Sequence, residues 1–188
     1  MVLAGDDFVS SIVDTYDLLY NKGVEAYTRQ RWFECLTHLN GALTDYRVYR
    51  STLVTCKREC RKKSSDDDGA LSTKPRITEM QIFFRILKRS NCIRKCKQNH
   101  FGNRPDVLAS RGIEEEFEFR KPYDFLQYCH YKLDNIKEAV ASSYTFLMAN
   151  PKHKATLKNL LYYQRLPGIL DDHFIDMERK IFQYPIYL

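Results

Sequence analysis

Apolar residues recur at spacings of three and four along most of the chain, while glycine and proline number only seven and six. That periodicity predicts amphipathic helices, and no two alternating runs stand ready to pair as strands. The expected fold class is all-α. Residues 16–50 read as a helix–turn–helix, with a first helix from Tyr16 to Tyr27 and a break at Arg29-Gln30-Arg31. The second helix starts at Trp32 and carries Cys35, Leu36, Leu39, Ala42 and Leu43 on one face. Gly23, Ala26 and Ala42 are small enough to let the two helices approach closely.

The order of residue types in this unit matches a tetratricopeptide repeat: large apolar, glycine, aromatic, aromatic in the turn, small residue, alanine. Residues 121–151 repeat the scheme. Tyr123 to Tyr131 is the first helix, Asp134-Asn135 the turn, and Ile136 to Ala149 the second helix. Ala139 takes the small-residue slot and Pro151 stops the unit. Terminal helices are expected over 152–182, at Lys154 to Arg165 and Asp171 to Phe182, with no polar capping repeat after them. An array of that kind is expected to be incomplete.

Between the two units lie matching doublets, Cys56-Lys-Arg-Glu-Cys60 and Cys92-Ile-Arg-Lys-Cys96. On a helix, residues four apart share a face, about 6 Å along the axis. Two such helices packed antiparallel set Cys56 opposite Cys96 and Cys60 opposite Cys92, at separations a disulfide spans. The first reading of 51–98 is therefore a stapled helical hairpin around a Ser/Asp-rich linker at 63–76. Joining Cys56 to Cys96 closes a loop of about 40 residues, worth roughly 4 kcal/mol. Four thiolates at this spacing also serve a structural zinc ion, and buried free thiols are a third state. Cys35 and Cys129 read as small buried residues inside the two units, and whether they are free stays open.

At 188 residues the chain reads as one helical domain over 1–188, with a formal net charge of +6. The positive charge gathers at Arg47, Arg50, Lys57, Arg58 and 61–63, and again at Arg85, Lys88, Arg89, Arg94, Lys95, Lys97 and Arg104. No acidic residue falls between Met80 and Pro105. A solvated hairpin face accounts for this, as does an anionic partner surface. No recognition motif accompanies the charge, so no nucleic acid is expected. No apolar run is long enough to span a membrane. Residues 1–8 lack the basic and apolar regions of a secretory leader. Paired cysteines favour an oxidising compartment, which then implies a processed or partial chain.

Catalytic chemistry finds little support. An iron(II) dioxygenase requires His-x-Asp/Glu and a distant histidine. The residues two after the five histidines are Asn40, Gly102, Lys132, Ala155 and Ile175. No phosphate loop, dinucleotide fingerprint, zinc-protease or serine-hydrolase motif occurs. Cys129 and His130 are neighbours on a helix and point about 100° apart. The expectation is no catalytic residue, no cofactor and no metal.

Several idiosyncratic runs carry a resemblance: Tyr16 to Tyr20 through Trp32, Tyr46-Arg47 and Cys56-x3-Cys60, then Asn91 to Cys96. The strongest are Arg120-Lys-Pro-Tyr-Asp-Phe-Leu-Gln127, Ala139-Val-Ala141, Tyr144-Thr-Phe-Leu147, Asn150-Pro151, Tyr162-Tyr163-Gln164 and Asp176-Met-Glu178. Over residues 16–180 the chain resembles the leprecan family, the collagen prolyl 3-hydroxylases and the cartilage-associated protein. The resemblance implies a tetratricopeptide-like domain of the endoplasmic reticulum lumen that acts with a cyclophilin-type peptidyl-prolyl isomerase, another leprecan-family subunit and procollagen chains. It implies a scaffold in procollagen modification and chaperoning. Its alternative is the N-terminal part of an iron/2-oxoglutarate hydroxylase whose catalytic domain lies outside this sequence. The tail at 183–188 follows no family pattern. A third reading, a substrate-holding chaperone of the mitochondrial intermembrane space, shares the paired C-x3-C helices, but such proteins are much shorter and lack the repeats. First helices of such repeats line a concave face, which here places Tyr20, Tyr27, Tyr128 and Tyr131 in a groove suited to polyproline II segments.

Overall fold

A computed structural model of the chain describes residues 14–65, 79–102, 104, 105, 107 and 109–179. The helices among them are α1 (Tyr16–Thr28), α2 (Trp32–Ser65), α3 (Glu79–Phe101), α4 (Arg111–Glu118), α5 (Lys121–Lys132), α6 (Ile136–Ala149) and α7 (Lys154–Tyr163). No strand occurs among the described residues. The chain folds as two compact units. Among the described residues, one holds Asp14 and 45–105, the other 15–44 and 107–179.

Helix α2 contributes to both. It runs unbroken through residue 50, where the sequence divides the first repeat unit from the hairpin. No glycine or proline lies between Gly41 and Ser65, so nothing interrupts its hydrogen-bond ladder. The expected linker at 63–76 begins inside α2, and its part from 66 onward lies outside the described residues, as does the tail at 183–188.

In the larger unit, α1 with the start of α2, and α5 with α6, form two helix pairs at tetratricopeptide spacing. Both turns close in the same way. The Gln30 N–H donates to the Tyr27 carbonyl at 3.0 Å and the Arg31 N–H to Ala26 at 2.8 Å. In the second pair the Asp134 N–H donates to Tyr131 at 3.2 Å and the Asn135 N–H to His130 at 3.0 Å. Gln30 and Asp134 both sit at φ 59°, the left-handed residue that ends a helix by this motif.

That shared register makes the two pairs comparable residue by residue. Gly23 in α1 faces Leu39 in α2, where an added Cβ would lie 2.7 Å from the leucine Cγ. At the equivalent places of α5 and α6 stand Gln127 and Ser143, and the serine hydroxyl donates to the Gln127 side-chain carbonyl. One pair closes by omitting a side chain and the other by a buried hydrogen bond. Gln127 is also held by Asp124, which accepts from its amide at 2.6 Å. A buried polar group is tolerated when it is satisfied in this way.

Helix α4 is capped by Ser110, whose hydroxyl accepts from the Ile113 N–H at 3.3 Å. It docks through Phe117, edge-on to Tyr16 at 4.9 Å and to Tyr20 at 5.3 Å between ring centres. Each such contact adds about 1 kcal/mol to the burial itself. Arg120, left-handed at φ 58°, turns the chain into α5. Its guanidinium donates to the Thr145 carbonyl at 3.0 Å and to Asp176 at 2.9 Å. That ion pair holds the C-terminal strap, where the sequence predicts a helix from Asp171. The chain there forms only a 3-10 turn at Asp171–His173 and is helical again at 177–179. The His173 ring accepts from the Leu170 N–H at 2.9 Å, and Tyr123 donates to Glu178 at 2.6 Å. These bonds hold the segment in a turn and strap geometry that a regular helix would break.

All six cysteines are bridged. Cys56–Cys96 and Cys60–Cys92 join α2 to α3 in the smaller unit, each with Cα atoms 5.7 Å apart. The crossed order of the pairs makes the two helices antiparallel. The end of this hairpin nearest Phe101 is closed by Tyr49 stacked on Phe101 at 5.6 Å. Arg104 lies 5.5 and 5.2 Å from those two ring centres and pairs with Asp45. The third bridge, Cys35–Cys129, lies in the larger unit and corrects the reading of these residues as merely small and buried. They are buried because they are bonded, α2 to α5, with Cα atoms 6.5 Å apart.

Candidate functional site

The four tyrosines singled out in the sequence all lie on α1 and α5, yet they do not share one environment. Tyr20 is only 4% exposed, and its hydroxyl donates to the Glu116 carboxylate. Burial, with that hydrogen bond second, raises its pKa. Tyr20 thus stands beneath the surface as part of the α4 contact, and its ring is not open to a ligand.

Tyr27, Tyr128 and Tyr131 belong together. Tyr27 and Tyr131 hold the same place in the two pairs, three residues before the left-handed turn residue. Tyr128, on the same face of α5 as Tyr131, packs edge-on to Tyr27 at 5.6 Å and lies 6.5 Å from Tyr131. Tyr128 and Tyr131 are 39% and 37% exposed, and Tyr27 is half-buried.

Two further rings that the sequence reading missed extend this into a stripe, and a third, Tyr163, supports it from beneath at only 4% exposed. Trp32 stands 6.0 Å from Tyr27 and 5.6 Å from Tyr128. Phe125 lies beside Tyr27 at 5.0 Å. Tyr163 of α7 meets Tyr131 at 6.2 Å. Trp32 was visible as the first residue after the turn, but only the fold brings α2 to the face of α5. Tyr163 was visible only within the run Tyr162-Tyr163-Gln164, with nothing in the sequence to set it beside Tyr131.

Charge enters only at the margins. The Lys132 ammonium lies 5.2 Å from the Tyr128 ring centre and Lys121 5.5 Å from that of Phe125, each a cation over a π face. Burial, reinforced by Tyr128 and Asp124, raises the pKa of Tyr27 against the opposing pull of Lys121. Tyr163 is pushed up to about 12, by burial first and then by Tyr131 and Tyr162. The Tyr27 and Tyr163 hydroxyls therefore stay neutral near pH 7, and the rings that the stripe exposes are those of Tyr128 and Tyr131 with half-buried Tyr27.

Among the described residues, metal chemistry fits poorly. The ring of His100 brings a nitrogen within 4.8 Å of the Cys56 and Cys96 sulfurs. Both sulfurs are spent in a disulfide, and a metal takes the thiolate. Among the described residues no helix is long and apolar enough to cross a membrane.

Comparison with known proteins places the chain among its relatives. The chain is 29% identical over 168 residues to the cartilage-associated protein of Gallus gallus, covering 87% of this chain and 59% of that one. It is 30% identical over 174 residues to prolyl 3-hydroxylase 1 of Mus musculus, covering 87% of this chain and 23% of the relative. It is 31% identical over 168 residues to the human protein named endoplasmic reticulum protein SC65, covering 87% and 38%. The chain thus spans less than two thirds of each. The model of the leprecan-family tetratricopeptide-like repeat region matches residues 15–185. With all-α repeats, three bridges and a match over nearly its whole length, the chain belongs to the leprecan family.

Proposed function

We propose that this chain is a non-catalytic helical scaffold acting in procollagen modification and chaperoning, within a collagen prolyl 3-hydroxylation complex of the endoplasmic reticulum lumen. The observation that carries this reading is the aromatic stripe of Tyr27, Tyr128 and Tyr131 on a chain whose relatives are named for cartilage and prolyl hydroxylation. Unfolded collagen chains are rich in polyproline II, which is ordered before it binds and presents proline rings at regular intervals. Exposed tyrosine faces with lysines at their edges accept such rings at little entropic cost. The partners in this reading are procollagen chains, a cyclophilin-type peptidyl-prolyl isomerase and a further leprecan-family subunit. Three disulfides fit an oxidising lumen, and one relative carries that compartment in its name.

A second reading draws on the match to prolyl 3-hydroxylase 1. There the chain is the N-terminal part of an iron/2-oxoglutarate-dependent hydroxylase, and a longer transcript encoding a His-x-Asp motif establishes it. For the scaffold itself, the Tyr27→Ala/Tyr131→Ala double variant is titrated against a Gly-Pro-Pro-rich peptide. The expected loss of affinity is at least about tenfold. Unchanged affinity in a folded double variant removes the stripe from the proposal. A pulldown from secretory cells, scored for collagen and cyclophilin, tests the partners.

A further inference from the structure

The smaller unit holds an apolar surface that nothing among its described residues covers. Helix α3 has no buried residue. Within its first turns Met80, Ile82, Phe83, Phe84, Ile86 and Leu87 are each between 48 and 64% exposed. At 100° per residue they fill one continuous arc about 200° wide. Arg85 and Arg89 lie seven residues before Cys92 and Cys96, on the stapled side of α3 and away from that arc. The polarity of this stretch is therefore inverted relative to a hairpin that packs apolar side chains inward. Exposed apolar clusters of this size mark contact sites.

The same outward row changes character further along. Beyond Leu87 it continues through Asn91, Arg94, Lys95 and Gln98, all exposed, with Arg94 donating to Asn91 at 3.1 Å. Two turns are apolar and the next two are polar, carrying the cations Arg94 and Lys95, with no acidic residue from Met80 to Pro105. This division runs along the helix axis. A membrane-surface helix instead separates apolar from basic around its axis, one face in lipid over its whole length. A second copy of this chain opposes like charges if parallel and leaves the basic turns unmatched if antiparallel.

We infer that the exposed row of α3 is a docking site for an acidic amphipathic helix of a partner protein, apolar over two turns and Asp/Glu-bearing over the next two. The disulfides hold α3 in place before the partner arrives, which lowers the ordering cost of binding. The apolar turns supply affinity, and the basic turns select the partner and its direction.

The test uses the full oxidised chain and calorimetric titration of a synthetic helix of about five turns, with leucines along the first half of one row and glutamates along the second. A control helix carries lysines in place of the glutamates. The glutamate helix binds and the lysine helix does not. Phe83→Ser/Phe84→Ser weakens binding by at least about tenfold, and Arg94→Glu/Lys95→Glu inverts the preference between the two helices. The charge-swap arm keeps the test decisive should the serine variant misfold. No binding of the glutamate helix overturns the inference, as does equal binding of both helices. It is also overturned by wild-type binding to phosphatidylserine vesicles without binding to the peptide, or by a self-association that the serine variant abolishes.

Discussion

Cys35 is bonded to Cys129 across 94 residues of chain, and both are fully buried at the junction of α2 with α5. This bridge joins the two tetratricopeptide-like pairs, while the other two bridges act within the hairpin. In the chain-entropy model a loop of this length is worth about 4–5 kcal/mol. The Cys35→Ser/Cys129→Ser variant is expected to lose most of that in non-reducing urea denaturation. Cys60→Ser/Cys92→Ser is expected to lose much less, because Cys56–Cys96 already closes the loop around it.

Gly23→Ala sets helix preference against space. Alanine gains up to about 1 kcal/mol in a helix interior. Its Cβ would meet the fully buried Leu39 at 2.7 Å, an overpacking that costs more. The expected net loss is about 1–2 kcal/mol, read from the urea midpoint. Leu39→Ala combined with Gly23→Ala is expected to be less destabilised than the two single changes added together, a coupling that a double-mutant cycle measures.

Arg120 combines a strained backbone with an anchoring side chain. Removing the guanidinium from Thr145 and Asp176 is expected to cost about 2–3 kcal/mol in thermal unfolding. Arg120→Gly relieves the left-handed strain that Arg120→Ala retains, so the glycine variant is expected to be the more stable of the two by about 1 kcal/mol.

His130 predicts a dependence on acid. Burial lowers its pKa below the ordinary 6.5, with Glu138 opposing. The folded state therefore binds the proton less readily than the unfolded chain. Stability from this residue is complete above pH 6.5 and falls as the pH drops through the depressed value. Urea midpoints for the wild type are expected to fall from pH 7.5 towards pH 5, and His130→Gln is expected to flatten that slope.

What the sequence revealed follows from how local each signal is. The repeat pairs were legible because Gly23, Ala26, Ala139 and the turn residues act within thirty or so neighbours of one another. The hairpin bridges were legible because a C-x3-C doublet commits both sulfurs to one helix face. Cys35–Cys129 was not, since one cysteine in each unit has no spacing to read and only the packing of α2 on α5 makes them meet. The aromatic stripe was half legible for the same reason. Tyr27 and Tyr131 mark their places by the repeat, but burial of Tyr20 depends on Phe117 and Glu116 arriving from α4. Trp32 joins the stripe, and buried Tyr163 comes to lie under it, through helix packing alone.

The chain has a single tryptophan, and it sits against Tyr27 and Tyr128 in that stripe. Its emission will therefore sense whatever settles on those rings, with no competing indole elsewhere in the protein. A polyproline II segment bound as proposed would change the surroundings of that indole and so report its own arrival.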